Sequence, residues 1–199
     1  MAQKEEWNNR YSNPEFAYGL EPNNFLKFHL SKYKPGNLLL PGDGEGRNTL
    51  WAAKNGWDVT AFDFSETAVE KSNDLLKKNS VEANVFCQSI EDFTSVNKFD
   101  AIGLTFLHLP SNIRIQSHKN LINLLKANGI IILECFHPDQ LERFSGGPKN
   151  PDLFPQIEEI KKTFSSLTIL SLTREEIQLN EGQLHQGEAI VIRMIAQKN

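Results

Sequence analysis

The sequence predicts a doubly wound α/β sheet, and three observations carry that prediction. Short apolar runs recur along the chain, most of them end in turn residues, and helix-like stretches separate the earlier ones. Continuous apolar runs mark strands buried on both faces, as in parallel sheets covered by helices. Alternating strands and helices then wind to both sides of one sheet.

Residues 1–36 come first and are unusually aromatic, with Trp7, Tyr11, Phe16, Tyr18, Phe25 and Phe28. They read either as a lid belonging to the same domain or as an amphipathic helix packed on the sheet. The domain proper is expected over 37–199. Its first strand, Asn37 to Leu40, runs into Pro41-Gly42-Asp43-Gly44-Glu45-Gly46. Arg47 to Asn55 follows as a helix stopped by Gly56. The second strand, Asp58 to Phe62, ends at Asp63. Ser65 then caps a helix with Ala68, Val69, Leu75 and Leu76 as its apolar positions. Phe99 to Phe106 is a strand ending at Leu107-His108-Leu109-Pro110, and Ile113 to Ala127 a longer helix closed by Asn128-Gly129. Gly129 to Cys135 is the next strand, ending at Phe136-His137-Pro138. Phe144-Ser145-Gly146-Gly147-Pro148-Lys149 reads as a mobile loop beyond it. Two strands close the chain, Leu167 to Leu172 and Ala189 to Ile195. Their connector, Thr173 to Glu188, is polar and helix-free, so they can pair as an antiparallel hairpin.

The chain has 199 residues, which suits one domain. Its apolar share of 39% reaches the usual range once the 12 glycines are counted, so a core can form. A net charge of −4 without a block of like charges argues against indiscriminate binding to nucleic acid or anionic membrane. Two cysteines, Cys87 and Cys135, make no disulfide framework and no zinc pairing. The N-terminus is polar and no apolar stretch reaches membrane-spanning length. A cytoplasmic protein is expected, with monomer and homodimer both open.

Gly42-x-Gly44-x-Gly46 sits between a strand and a helix. Glycines there let the chain turn sharply and let a ligand approach the backbone, beside free N–H groups of the helix start. Asp63 follows Gly46 by 17 positions, at the end of the next strand. An acid there can accept both hydroxyls of a ribose. Together they indicate an adenosine-containing cofactor. The dinucleotide fingerprint needs a small residue at its sixth position, where this chain has Arg47. A bulky charge there points away from a pyrophosphate and toward S-adenosylmethionine.

At this point the sequence resembles the class I S-adenosylmethionine-dependent methyltransferases, in particular the branch containing the tellurite-resistance and thiopurine-type enzymes. The resemblance covers nearly the whole chain. It rests on Trp7-x-x-Arg10-Tyr11, Tyr18-Gly19-x-Glu21-Pro22-Asn23 and the glycine loop through Arg47-Asn48. It continues through Val59 to Ser65, Phe99-Asp100, His108-Leu109-Pro110 and Leu124 to Gly129. Glu181-Gly182-x-x-His185-Gln186-Gly187 and Ile192-Arg193 complete it. It implies a Rossmann-like sheet of seven strands, mostly parallel with the last antiparallel, and helices on both faces. It implies that Asp63 holds the ribose beside Phe64 and Ser65, and that Gly42, Asp43, Gly44 and Gly46 form the cofactor loop. Ser89, Ile90 and Glu91 match the adenine-edge loop, and Thr105 the strand end under the methionine moiety. Many relatives carry an acid where this chain has Leu40, and an Asp where it has Ser89.

Methyl transfer from a sulfonium is an in-line displacement, driven largely by alignment and exclusion of water. No metal is needed, and the scattered histidines make no metal site. His108 and His137, just past two strands, lie at the sheet edge where such folds bind ligands and could act as base or hydrogen-bond partner. Each also reads as an ordinary turn histidine. Glu134, inside an apolar strand, reads as either a substrate contact or a structural partner. His185 is read as structural. Trp7, Arg10, Tyr11 and Tyr18 could close over the site, Arg10 facing the cofactor's carboxylate. The expected activity is methyl transfer to a small acceptor, a sulfur, selenium or tellurium nucleophile. The alternatives are a nicotinamide-dependent oxidoreductase and a non-catalytic module that binds S-adenosylmethionine.

Overall fold

The structure, a computed structural model, describes residues 2–199, so Met1 of the expected lid segment lies outside the described residues. Two helices, α1 (Ala2–Tyr11) and α2 (Asn24–Leu30), precede the sheet. Then come β1 (Asn37–Pro41), α3 (Arg47–Lys54), β2 (Asp58–Asp63), α4 (Glu66–Lys78), β3 (Asn84–Cys87) and β4 (Phe99–Thr105). The chain continues with α5 (Ser111–Asn123), β5 (Leu125–Phe136), α6 (Ile157–Thr163), β6 (Thr168–Glu181) and β7 (His185–Gln197). The strands form one seven-stranded sheet in the order β3-β2-β1-β4-β5-β7-β6. Strands β1 to β5 pair in parallel, and β7 is antiparallel to both neighbours. The expected fold class is therefore the observed one.

The reason that β1 reads as an unbroken apolar run is visible in its packing. Leu39 enters a core with Ile102, Ile131 and Phe164 on one face of the sheet. Leu38 and Leu40 enter the other core with Leu26, Leu30 and Trp57. Leu40, where the resemblance leads one to expect an acid, is 1% exposed. It packs so close to Gly103 that a Cβ there would come within 2.7 Å of it.

Three expectations are corrected. The polar connector read over Thr173 to Glu188 is mostly strand: β6 and β7 pair continuously to Glu181 and His185. As the sheet edge, β6 alternates instead of running apolar, with Ile177 and Leu179 inward and Glu176 and Gln178 exposed. The long helix ends at Asn123 and strand β5 begins at Leu125, because Leu125 already pairs with Phe99. The loop at Phe144 to Lys149 is tied down near its start. Gln140 Nε2 donates to Ser145 Oγ at 2.9 Å, and the Gln186 amide donates to the Ser145 carbonyl at 3.1 Å.

Segment 12–23 lacks regular structure, yet it is held where three elements meet. Arg47, first residue of α3, is buried and sends Nη1 to the carbonyls of Tyr18 and Glu21, both at 3.2 Å. Its Nη2 meets Glu181 of β6 at 2.8 Å, both side chains 9% exposed. Asn23 donates to Glu181 at 3.1 Å and to Glu134 of β5, while Arg193 of β7 meets Glu134 at 2.7 Å. Removing one member of a buried pair strands its partner at a cost of about 3–5 kcal/mol. Arg47→Met is therefore expected to lower the melting temperature by roughly 10 °C. The double variant Arg47→Met/Glu181→Leu should recover more than half of that loss by thermal denaturation.

Candidate active site

Strands β1 and β4 are neighbours, but the chain leaves them in opposite directions along the sheet, to β2 and to β5. The divergence opens a cleft at their C-terminal ends. Its empty space is about 1090 Å³ counting the open mouth.

One end of the cleft is backbone. Gly42 and Gly44 take φ of +64° and +61°, values that favour glycine. A Cβ on Gly42 would come within 2.5 Å of Leu107, and one on Gly44 within 2.8 Å of the Tyr11 hydroxyl. The loop is thus a cradle that side chains would fill. Asp63, at the end of β2, is 6% exposed and accepts from the Gly44 and Ser65 amides at 3.0 and 2.9 Å. Burial pushes its carboxyl up to about 6 against those bonds. Gly46 has no side chain to cap α3, so Asp43 does it. Asp43 accepts from the Thr49 amide at 3.1 Å, from Thr49 Oγ1 at 2.7 Å and from Asn48 at 2.9 Å. Burial raises the Asp43 carboxyl and these bonds oppose it. Phe64, Ser89, Ile90 and Glu91 line the same end, and Thr105 and Tyr11 its floor and side.

The other end is aromatic. Trp7 of α1 stacks on Tyr11 at 5.5 Å and faces His108 at 6.3 Å. His108 lies parallel to Phe136, the centroids 5.9 Å apart. Its exposed part faces the cleft, and protein surrounds the rest. Burial, with the charges of His185 and Arg10, drops its pKa to about 3. Phe106 holds φ of +49°, a strained conformation for a bulky residue. That turn sets its ring 4.6 Å from Phe136 and 4.7 Å from His185. Tyr18 covers His185 from the other side at 4.5 Å.

His185, read from the sequence as structural, is placed by the structure in the cleft wall. It is 3% exposed, lines the cleft, and bonds Glu181 through Nδ1 at 3.3 Å. Burial pushes the Glu181 carboxyl up, but the His185 bond and the Arg47 charge hold it at about 2, so it is ionised. An ionised carboxylate only accepts, which fixes the proton on Nδ1 and leaves Nε2 with its lone pair. Burial lowers the His185 pKa, so the ring is neutral at pH 7. The sequence carries both residues in the Glu181-Gly182-x-x-His185 motif, but their pairing depends on the hairpin register, which sets Glu181 opposite His185. That register was hidden inside a stretch read as loop.

Several expected site residues lie away from the cleft. His137 caps the turn after β5, its Nδ1 accepting from the Asp139 amide at 3.2 Å. Glu134 is 1% exposed and serves Arg193 and Asn23. Ser65 caps α4 and donates to Asn8 at 2.6 Å. Gly46 packs on Ser72 of α4. Arg10 lies over the Trp7 ring at 4.4 Å and donates to the Tyr18 hydroxyl at 3.0 Å. It is not among the lining side chains.

Residues 39–129 match the family model described as a methyltransferase domain. Over 110 residues the chain is 30% identical to a ubiquinone biosynthesis O-methyltransferase of Rickettsia akari, covering 55% of this chain and 42% of that one. The chain thus spans under half the length of the curated relatives it matches. Among solved structures, TehB from Haemophilus influenzae superposes with a TM-score of 0.75 at 17% identity, covering 99% of this chain and 67% of that one. The N-methyltransferase NodS from Bradyrhizobium japonicum, in complex with S-adenosyl-L-homocysteine, gives 0.76 at 17% identity, covering 98% and 97%. The chain shares the Rossmann-like methyltransferase fold of these structures. In this fold the described residues include no helix long and apolar enough to cross a membrane.

The partly buried imidazole of His108 gives a test of the cleft's geometry. Folded, it binds a proton more weakly than unfolded, so its contribution is complete above about pH 6.5 and is lost as pH falls toward 3. The urea midpoint should drop between pH 7 and pH 5, and drop less in His108→Asn. Equal drops in both proteins would mean that the ring is solvated.

Proposed function

We propose that the chain is an S-adenosylmethionine-dependent methyltransferase acting on a small, soft acceptor, a thiol or a reduced selenium or tellurium nucleophile. The observation that carries the reading is the pairing of two unlike ends in one cleft. One end is a glycine cradle facing Asp63, and the other is an aromatic box with two neutral imidazoles. Asp63 would accept from the ribose hydroxyls and the Gly42–Gly44 backbone would border the methionine moiety. Ser89, Ile90 and Glu91 would meet the adenine. The cofactor, when bound, supplies an activated methyl group on a cationic sulfur.

The chain's own residues do the rest. Asp43, Glu45 and Asp63 give this part of the cleft carboxylates, and Trp7, Tyr11 and Phe106 give it aromatic faces, both suited to a cation. The box excludes water and holds the acceptor in line. A thiol must lose its proton as it reacts, and His185, oriented by Glu181, takes it on Nε2. His108, too weak a base at about 3, positions the acceptor by hydrogen bonding. The acceptor end favours a neutral nucleophile over an oxyanion such as tellurite. Arg47, a lining guanidinium, is already paired with Glu181.

The test is methyl transfer to a panel of thiols and selenols, with tellurite, selenite and a hydroxylated quinol precursor as comparators. Transfer to the soft neutral acceptors is expected, and transfer confined to oxygen acceptors would sink the assignment. Binding of the cofactor without transfer to any of them would favour the non-catalytic module. Asp63→Ala should weaken S-adenosylhomocysteine by roughly 10- to 100-fold, since bonds to charged groups contribute about 1.5–3 kcal/mol. Calorimetric titration of the folded variant checks this. His185→Asn should lower kcat by about 100-fold or more while the S-adenosylhomocysteine affinity stays within threefold. An unchanged kcat would take the proton-acceptor role from His185.

A further inference from the structure

Segment 12–23 must be positioned by contacts, because no helix or strand fixes it. It carries Tyr18 and Gly19 into the cleft wall. Its second half is held by Arg47, as described above. Its first half converges on one side chain, Lys71 of α4, which does not line the cleft. Lys71 Nζ donates to the carbonyls of Asn13 at 2.8 Å and Glu15 at 3.0 Å, and to Glu45 Oε1. The ammonium also lies 4.8 Å from the centre of the Phe16 ring. The other oxygen of Glu45, Oε2, accepts from the Ala17 amide at 2.8 Å.

We infer that Lys71 is a positioning residue that latches the 12–18 segment, and through it Tyr18, over the acceptor end of the cleft. The ammonium fills all three of its donor positions within this contact set. Two of the three bonds go to backbone carbonyls of the segment. The third goes to Glu45, whose side chain is 4% exposed and depends on Lys71 for its counter-charge. Without Lys71 that carboxylate is left buried and unpaired, so it takes up a proton or swings out, and its hold on the Ala17 amide weakens with it. Glu45 belongs to the glycine loop, but the part of the cradle that faces Asp63 has supports of its own, the Gly44 and Ser65 amides bonded to that carboxylate. Loss of Lys71 thus separates the two ends of the cleft, loosening the acceptor wall and sparing the cofactor cradle.

This inference rests on the methyltransferase reading for its kinetic consequence but not for its structural one. The experiment compares wild type, Lys71→Met, Lys71→Gln and Lys71→Arg by chymotryptic cleavage and by hydrogen exchange at the Ala17 amide. S-adenosylhomocysteine titration runs in parallel. Cleavage after Phe16 and Tyr18 should accelerate at least tenfold in Lys71→Met, less in Lys71→Gln, and return near wild type in Lys71→Arg. Exchange at Ala17 should follow the same order. Affinity for S-adenosylhomocysteine should stay within threefold throughout. With a thiol substrate, the acceptor KM should rise by an order of magnitude in Lys71→Met while kcat changes less. Should Lys71→Met not fold, Lys71→Gln carries the comparison. Unaltered cleavage and exchange would overturn the latch, as would a loss of S-adenosylhomocysteine affinity as large as the loss of protection. A wild type that binds no S-adenosylhomocysteine, yet shows the same protection pattern, would leave the latch standing and remove the methyltransferase reading.

Discussion

The buried contact between Arg47 and Glu181 joins the two ends of the chain's logic. Arg47 opens the helix after the glycine loop, and Glu181 ends the first arm of the terminal hairpin. A guanidinium has five donors in a fixed fork, and three residues from two chain segments use them here: Tyr18 and Glu21 through their carbonyls, and Glu181 through its carboxylate. Burial makes the arrangement all-or-none, because a partly satisfied charge of this kind costs more than it returns. The hairpin tip is pressed against the strap at the same place. A Cβ on Gly182 would come within 2.3 Å of the Gly19 nitrogen. Glu181 is thereby set to orient His185, and Tyr18 to cover it.

The sheet supplies the cleft and the polar network supplies its chemistry. The cradle follows from local sequence, glycines at positive φ and an acid one strand along. The aromatic box does not. It is assembled from α1, the strap, the end of β4, the end of β5 and the hairpin, which meet only in the fold. Comparison with relatives at 17% identity accordingly speaks to the architecture.

Legibility in the sequence followed the same division. β1, β2, β4 and β5 were readable because strands buried on both faces leave few polar positions to break the run. Leu38, Leu39 and Leu40 are each 0–1% exposed. β3 was not read from composition because Asn84-Val85-Phe86-Cys87 is a short edge strand with its first and last residues exposed. β6 was half lost because an edge strand alternates, and Arg174-Glu175-Glu176 looks like a loop. Within the site, Gly42, Gly44, Asp63 and His108 were legible from spacing and from their place at strand ends. His137 and Glu134 shared those positions, yet one caps a turn and the other neutralises Arg193. Side-chain partners, not strand ends, decide that difference. Phe106 carried no signal at all, since its φ is imposed by the packing around it. Arg47 stood out in the sequence as a residue too large for a dinucleotide loop, but its partner lies 134 positions away.

The central claim is that the glycine cradle and Asp63 bind a sulfonium nucleoside. Thermal unfolding of the unmodified chain with S-adenosylmethionine, S-adenosylhomocysteine, NAD and NADP tests it most directly. At 100 times its dissociation constant a ligand stabilises by about 2.7 kcal/mol. For a chain of this size that is a shift of roughly 5–10 °C. The account predicts such a shift with the two sulfur nucleosides and none with the dinucleotides. A shift with NAD or NADP alone would contradict it and make the cleft a hydride-transfer site.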